Sequence, residues 1–304
     1  MPLTKKNINK NKNKKSLFFK NNRNNNSKIC SPMGEDSFTC FSKKGLINII
    51  ESWNKYYAND KIDFNGKQTK LSLWNKVDSK LNKTCNTEYC WTEQKFITNP
   101  VSIKKKFFKP LMPKHWEKNM NEWLSTLDIE SVMKQYKHKY SNFHFIGPVP
   151  IDFDSELDPG YCVVNELCKI RLNNLLKNGY TKLGIIFNLD KHNETGSHWV
   201  SLFADFDSNN IYYFDSYGMK EPKEISDLME RLKKQGLKIK REIKLHKNKI
   251  RHQFKGSECG IYSIHFIIKL LENNKYEDIV KNIIKDEEMQ ENRNVYYIKK
   301  NELK

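Results

Sequence analysis

Residues 252–271 read His-Gln-Phe-Lys-Gly-Ser-Glu-Cys-Gly-Ile-Tyr-Ser-Ile-His-Phe-Ile-Ile-Lys-Leu-Leu (HQFKGSECGIYSIHFIIKLL). From Cys259 to Leu271 the run is almost wholly apolar. It is too long for one strand and suits a buried helix. Cys259 stands at its start, where unpaired backbone N–H groups and the helix dipole favour a thiolate. A lone cysteine is by default an inert buried thiol. Gly256 and Gly260 bracket this one and leave room for another chain to approach its backbone.

Working upstream, three residues argue against the inert default. His198, followed by Trp199, opens an apolar segment after the polar loop 191–197. That places an imidazole at the edge of a cleft, where it can serve a thiol as base. Asp215 ends the apolar run YYFDSYG, a costly place for a carboxylate without a cationic partner. An imidazolium is the natural partner, and the acid would fix its tautomer. Gln253 lies six residues before Cys259. Its amide and the Cys259 backbone N–H could donate to a developing oxyanion.

The same region predicts an antiparallel hairpin. Leu183–Leu189 reads as a central strand, and 197–206 and 211–217 flank the turn-rich Asp207-Ser208-Asn209-Asn210. A two-residue turn at Ser208-Asn209 would pair Leu202 with Asp215, four residues away from His198. Local rules therefore leave His198 and Asp215 apart. Helices are expected over 163–176 and 222–235, with strands near 237–245 and 249–254. Helical start, meander-like strands and buried helix together indicate an α+β domain.

The chain has 304 residues, 38% hydrophobic and 30% charged, with a mean hydropathy of −0.79. That is enough apolar material for a core, and no stretch reaches the length of a membrane span. The N-terminus lacks the apolar region of a signal peptide. Seven cysteines make a poor disulfide framework, so reduced thiols are expected. Cys30, Cys40, Cys85 and Cys90 could instead form a four-thiolate zinc site.

The net charge of +18 is concentrated in two segments, 1–30 at +9 and 231–255 at +10. The first reads as a disordered Asn/Lys-rich tail over 1–29. The second carries apolar residues, which suggests folded structure with a basic outer face. Either is a solvated face or an attractor of nucleic acid. Between them, 30–97 reads as a small helical module built on Leu46, Ile49, Trp53, Trp74 and Val77. Pro100, Pro110 and Pro113 mark 98–115 as an extended connector, and a larger domain follows over 116–304.

The ordered set His198-Trp199, Asp215 within FDSYG, and Gln253-x5-Cys259-Gly260 resembles the signature of the clan CE cysteine proteases, the adenovirus-type and ubiquitin-like-protein-specific family. The separations of 17 residues from His198 to Asp215 and six from Gln253 to Cys259 suit it. Beyond the motif, 123–136 (WLSTLDIESVMKQY), 148–154 (PVPIDFD) and 196–203 (GSHWVSLF) resemble the subgroup of large cytoplasmic DNA viruses, of African swine fever virus and giant-virus type. The resemblance covers about residues 110–290.

It implies an α+β, papain-like fold with a central mixed sheet flanked by helices. It implies Cys259 as nucleophile, His198 as base and then acid, Asp215 as orienting group and Gln253 in the oxyanion hole. Trp199 would shape a narrow tunnel that in this family admits Gly-Gly, with Asn188 and Gly260 in support. The implied activity is cleavage of viral structural polyproteins at Gly-Gly-X-type sites during maturation, in the virion and the host cytoplasm. No metal or cofactor is required by that chemistry. Adenovirus-type members use DNA as cofactor, and the two basic segments leave DNA open as an activator here. Two competing readings are a ubiquitin- or SUMO-type deconjugase on the same residues, and a basic nucleic-acid-binding virion protein on an inert scaffold.

Overall fold

The computed structural model describes residues 28–34 and 38–303, so most of the basic tail expected over 1–29 lies outside the described residues. The described residues form two compact units, one from those up to Met112 with those from Asn294 onward, the other from Pro113–Arg293.

The first unit is helical. α1 (Lys43–Tyr56) and α2 (Lys70–Leu81) start at Ser42 and Thr69, whose side chains accept from Gly45 and Ser72 backbone N–H groups. α3 is Glu88–Trp91 and α4 is Pro100–Phe107. α4 corrects the expected extended connector over 98–115. Pro100 sits in the first turn of the helix, where its missing N–H costs no hydrogen bond. Phe107 and Phe108 then join Phe41, Ile50, Trp74 and Trp91 in one buried cluster. The C-terminal segment joins the same unit, as Met112 N–H donates to the Ile298 carbonyl at 2.9 Å.

The cysteines correct two further expectations. Cys30–Cys40, Cys85–Cys90 and Cys162–Cys168 are disulfides, and Cys259 is the free thiol. Local turns bring each pair to Cα separations of 4.9, 5.4 and 6.3 Å, inside bridging range. The four sulfurs proposed for zinc are thus consumed in pairs. Among the described residues no group of three or more His, Cys, Asp or Glu is placed to hold a metal.

The second unit opens with α5 (Thr126–Lys139), whose Ser125 and Asp128 form a capping box. A five-stranded mixed sheet follows in the order β1-β4-β5-β6-β7. Its strands are β1 Phe143–Pro150, β4 Lys182–Asn188, β5 Trp199–Asp205, β6 Asn210–Phe214 and β7 Lys244–Lys247. β1 with β4 and β6 with β7 are parallel, and the two central pairings are antiparallel. A short ribbon of β2 (Glu156–Asp158) and β3 (Tyr161–Cys162) lies outside the sheet.

Both faces of the sheet are covered. Leu183, Ile185 and Phe187 of β4 join the core made with α6 (Asn165–Cys168), α7 (Leu172–Lys177) and α8 (Lys223–Lys238). On the other face, α9 (Cys259–Leu271) packs against β5 and α5 against β1. A strand buried on both sides reads as a continuous apolar run, as LGIIF does. The helix expected over 163–176 is split into α6 and α7. α8 runs on to Lys238, into the segment expected to begin a strand, and 249–254 forms a loop. Three short α-helices, α10 (Tyr276–Lys281), α11 (Asp286–Glu291) and α12 (Arg293–Tyr296), follow α9.

The hairpin register decides the site. Asp205 pairs with Asn210, so the connection is four residues long and Leu202 faces Tyr213. Phe206 is fully buried, and Asn209 takes a left-handed φ of 55° to close the loop. The last pair is Ser201 with Phe214. One step further sets Asp215 opposite Val200, with His198 its diagonal neighbour at the same end of the sheet.

Candidate active site

Cys259 is the first residue of α9 and is 1% exposed. Its helix is held against the sheet partly by Ser263, whose hydroxyl donates to the Trp199 carbonyl at 3.2 Å. That contact ties the thiol-bearing helix to the strand that begins beside His198.

His198 Nε2 and Asp215 Oδ1 are 2.7 Å apart, with the side chains 11% and 1% exposed. Cys259 also acts on the ring. Burial works against a charged ring, but hydrogen bonds to Asp215 and Cys259 and their negative charge outweigh it and hold His198 up at about 9. An imidazolium kept at neutral pH between a carboxylate and a sulfur can stabilise a thiolate and later return a proton.

Asp215 is itself fixed. Its Oδ1 also accepts the Tyr217 N–H at 2.9 Å. Its backbone N–H donates to Asn248 Oδ1, and Asn248 Nδ2 donates back to the Asp215 carbonyl, both at 3.0 Å. Tyr217 stacks on His198 with ring centroids 4.6 Å apart. Burial, then the nearby Cys259 charge, pushes the Tyr217 hydroxyl up.

Gln253 is fully buried. Ser216 anchors it twice, donating its hydroxyl to Gln253 Oε1 at 2.6 Å and accepting the Gln253 N–H at 2.8 Å. Gln253 Nε2 donates to the Lys255 carbonyl at 2.7 Å and lies a longer 3.4 Å from the Tyr217 hydroxyl. The amide is pinned by one of its two hydrogens, and the second is weakly engaged.

Trp199 is buried, and its Nε1 donates to the Leu124 carbonyl at 3.0 Å. These two residues explain Gly260. A Cβ there would come 2.9 Å from Leu124 Cβ and 3.3 Å from Trp199 Cδ1. The expectation that this glycine makes room for an approaching chain is corrected: its space is filled by Leu124 and Trp199. Asn188 faces Trp199 across the strands, and its Oδ1 accepts the Asp190 and Ser197 N–H groups at 3.0 and 3.2 Å. It thereby closes the loop that delivers His198.

A recess of about 570 Å³ opens beside this group. Trp123, Leu124, Asn188, Gly196 and Trp199 form part of its wall. The loop over it is knitted by carboxylates, with Gly196 N–H donating to Asp190 and Lys191 N–H to Glu194.

Sequence reasoning missed Ser216, Tyr217, Asn248 and Leu124. Ser216 and Tyr217 adjoin Asp215 and could have been suspected from FDSYG. Asn248 and Leu124 carry no local signal. Several of the eleven cations of the basic segment 231–255 have partners within the protein. Arg231 donates to the Leu167 carbonyl, Arg241 to Phe206, and Lys247 and Lys255 pair with Glu221 and Glu287.

Known proteins share this arrangement of sequence. Residues 183–304 match the model of the Ulp1 protease family, C-terminal catalytic domain. A protein of Acanthamoeba polyphaga mimivirus named as a thiol protease is 32% identical over 286 residues, 88% of this chain and 93% of that protein. A protein of African swine fever virus named as a SUMO-1 cysteine protease is 27% identical over 241 residues, 73% of this chain and 86% of its own. The crystal structure of the African swine fever virus protease has the same fold, with a TM-score of 0.61 at 23% identity over 89% of this chain and 95% of that one. Identity at this level along most of the chain leaves one assignment: it belongs to the Ulp1 (clan CE) protease family and is a cysteine-type peptidase.

Proposed function

We propose that the protein is an endopeptidase that cleaves viral structural polyproteins after small residues, at Gly-Gly-X-type sites, during maturation in the virion and the host cytoplasm. The observation that carries this is the seal over Gly260. Leu124 and Trp199 close down on the backbone next to Cys259, so the approach from the adjoining recess suits residues without bulky side chains.

In this reading Cys259 Sγ attacks the scissile carbonyl carbon. His198 already holds the thiol's proton as an imidazolium and passes it to the leaving amine, and Asp215 holds the ring. The Cys259 N–H and the less engaged Gln253 hydrogen face the oxyanion. Water then hydrolyses the thioester, with His198 as base.

The test compares wild type with Cys259→Ala on Gly-Gly-X and Ala-Gly-X peptides beside ubiquitin and SUMO fusions. Cleavage of short peptides by the wild type alone is expected. The name of the African swine fever virus relative favours a second reading, a SUMO-type deconjugase. Cleavage confined to folded modifiers would establish that reading instead.

A further inference from the structure

The loop that carries Gln253 also presents an unusual surface. Phe254 is 66% exposed and Met219 63%, large apolar side chains next to a buried catalytic-family core. Gly218 makes this possible. Its φ of +71° and missing Cβ let the 216–219 turn lie directly on the backbone of Ile250 and Arg251. Arg251 is exposed and lies over two rings, 5.4 Å from the Tyr217 centroid and 4.8 Å from that of Phe254. Its Nε donates to the Gln253 carbonyl at 2.8 Å.

Among the described residues no carboxylate forms an ion pair with Arg251, and the acids nearest along this loop are already engaged. Asp286 Oδ2 accepts the Phe254 and Lys255 N–H groups at 2.8 and 2.9 Å, and its Oδ1 takes the Tyr262 hydroxyl at 3.2 Å. Glu287 pairs with Lys255. The guanidinium is therefore fixed in orientation by two rings and a backbone carbonyl, with its outer edge open. A planar, pre-oriented guanidinium of this kind is suited to bind a carboxylate.

Its place relative to the thiol gives it a role. Tyr217 links Arg251 to the imidazole: its ring stacks on His198 and also lies against the guanidinium. The recess beside Trp199 and the one beside Phe254 share no lining residue. Arg251 is thus one ring away from His198, on the Tyr217 side and outside the wall of the Trp199 recess.

We propose that Arg251, Phe254 and Met219 form the subsite for the segment released by cleavage, and that Arg251 selects an acidic side chain in the first two residues after the scissile bond. This rests on the reading of Cys259 as nucleophile. Phe254 and Met219 supply apolar contact to the same segment.

The test uses matched Gly-Gly-X peptides carrying Asp or Lys at the second released position, with wild type and Arg251→Glu. An exposed charge pair held this firmly predicts about a fivefold preference for Asp in kcat/KM. Arg251→Glu should reverse it to favour Lys. A second readout needs no turnover: fluorescence anisotropy of the same labelled peptides on Cys259→Ala protein, with and without Arg251→Glu. An Asp-to-Lys ratio unchanged by Arg251→Glu in cleavage or in binding overturns the subsite. Binding that keeps the charge preference while no peptide is cleaved supports the subsite and refutes the peptidase reading of these substrates.

Discussion

Asp215→Asn keeps the shape of a side chain that is 1% exposed and removes its charge. His198 is held at about 9, against an ordinary 6.5, which amounts to about 3 kcal/mol in favour of the imidazolium. Asp215 and Cys259 share that stabilisation against the cost of burial. A hydrogen bond to a charged group contributes about 1.5–3 kcal/mol, so loss of the Asp215 charge should lower kcat/KM by about 10- to 150-fold. The sign of the pH effect follows from the raised value. The imidazolium is fully present below the ordinary histidine range and is lost as pH rises through about 9. In the variant that loss moves to lower pH. The alkaline limb of the activity profile should fall by at least about one pH unit, and the deficit should be larger at pH 8.5 than at pH 6. Peptide cleavage followed across pH reads this limb, because only the acid step needs the imidazolium. A variant with wild-type unfolding behaviour and an unmoved alkaline limb would refute the role given to Asp215.

Four further outcomes are expected. Ser216→Ala removes the 2.6 Å anchor of the Gln253 amide and should lower kcat about tenfold with KM little changed, as steady-state kinetics would show. Gly260→Ala drives a Cβ to 2.9 Å from Leu124, so denaturant unfolding should show a loss of about 1–3 kcal/mol and peptide assays a raised KM. Glu88 is 2% exposed, accepts the Cys40 N–H at 2.8 Å, and is pushed by burial up to about 7. The folded state holds that proton more tightly than the unfolded one. Stability of the helical unit is therefore full below about pH 4.5 and falls as pH rises through 7, by up to about 3 kcal/mol, and Glu88→Gln should flatten the decline in urea titrations at pH 5 and 7.5. Mass spectrometry of denatured, unreduced protein should find one alkylated thiol, Cys259, and seven after reduction.

The sequence by itself determined the elements whose signal is local. The apolar run from Cys259 to Leu271 is the helix it announces, because a continuous apolar run of that length can be buried all round only as a helix. The strand expected over Leu183–Leu189 forms over Lys182–Asn188 for the same reason: its signal depends on neighbours a few residues away. The residues His198, Asp215, Gln253 and Cys259 were legible as an ordered motif, yet hairpin arithmetic put His198 and Asp215 out of reach. Tertiary structure decided that, because the fully buried Phe206 and the left-handed Asn209 lengthen the turn and shift the register by two.

Tertiary structure also decided what no spacing rule carries. Pro100 reads as a break in isolation but starts a helix once Phe107 and Phe108 have a core to enter. The cysteines of the N-terminal unit pair locally because turns bring their Cα atoms within bridging range, which cysteine counting does not reveal. Gly260 is glycine because Leu124, well over a hundred residues earlier, occupies the place its side chain would take. Arg251 reads as one cation among eleven in a basic segment, and only the fold sets it on two rings, one of which stacks on His198.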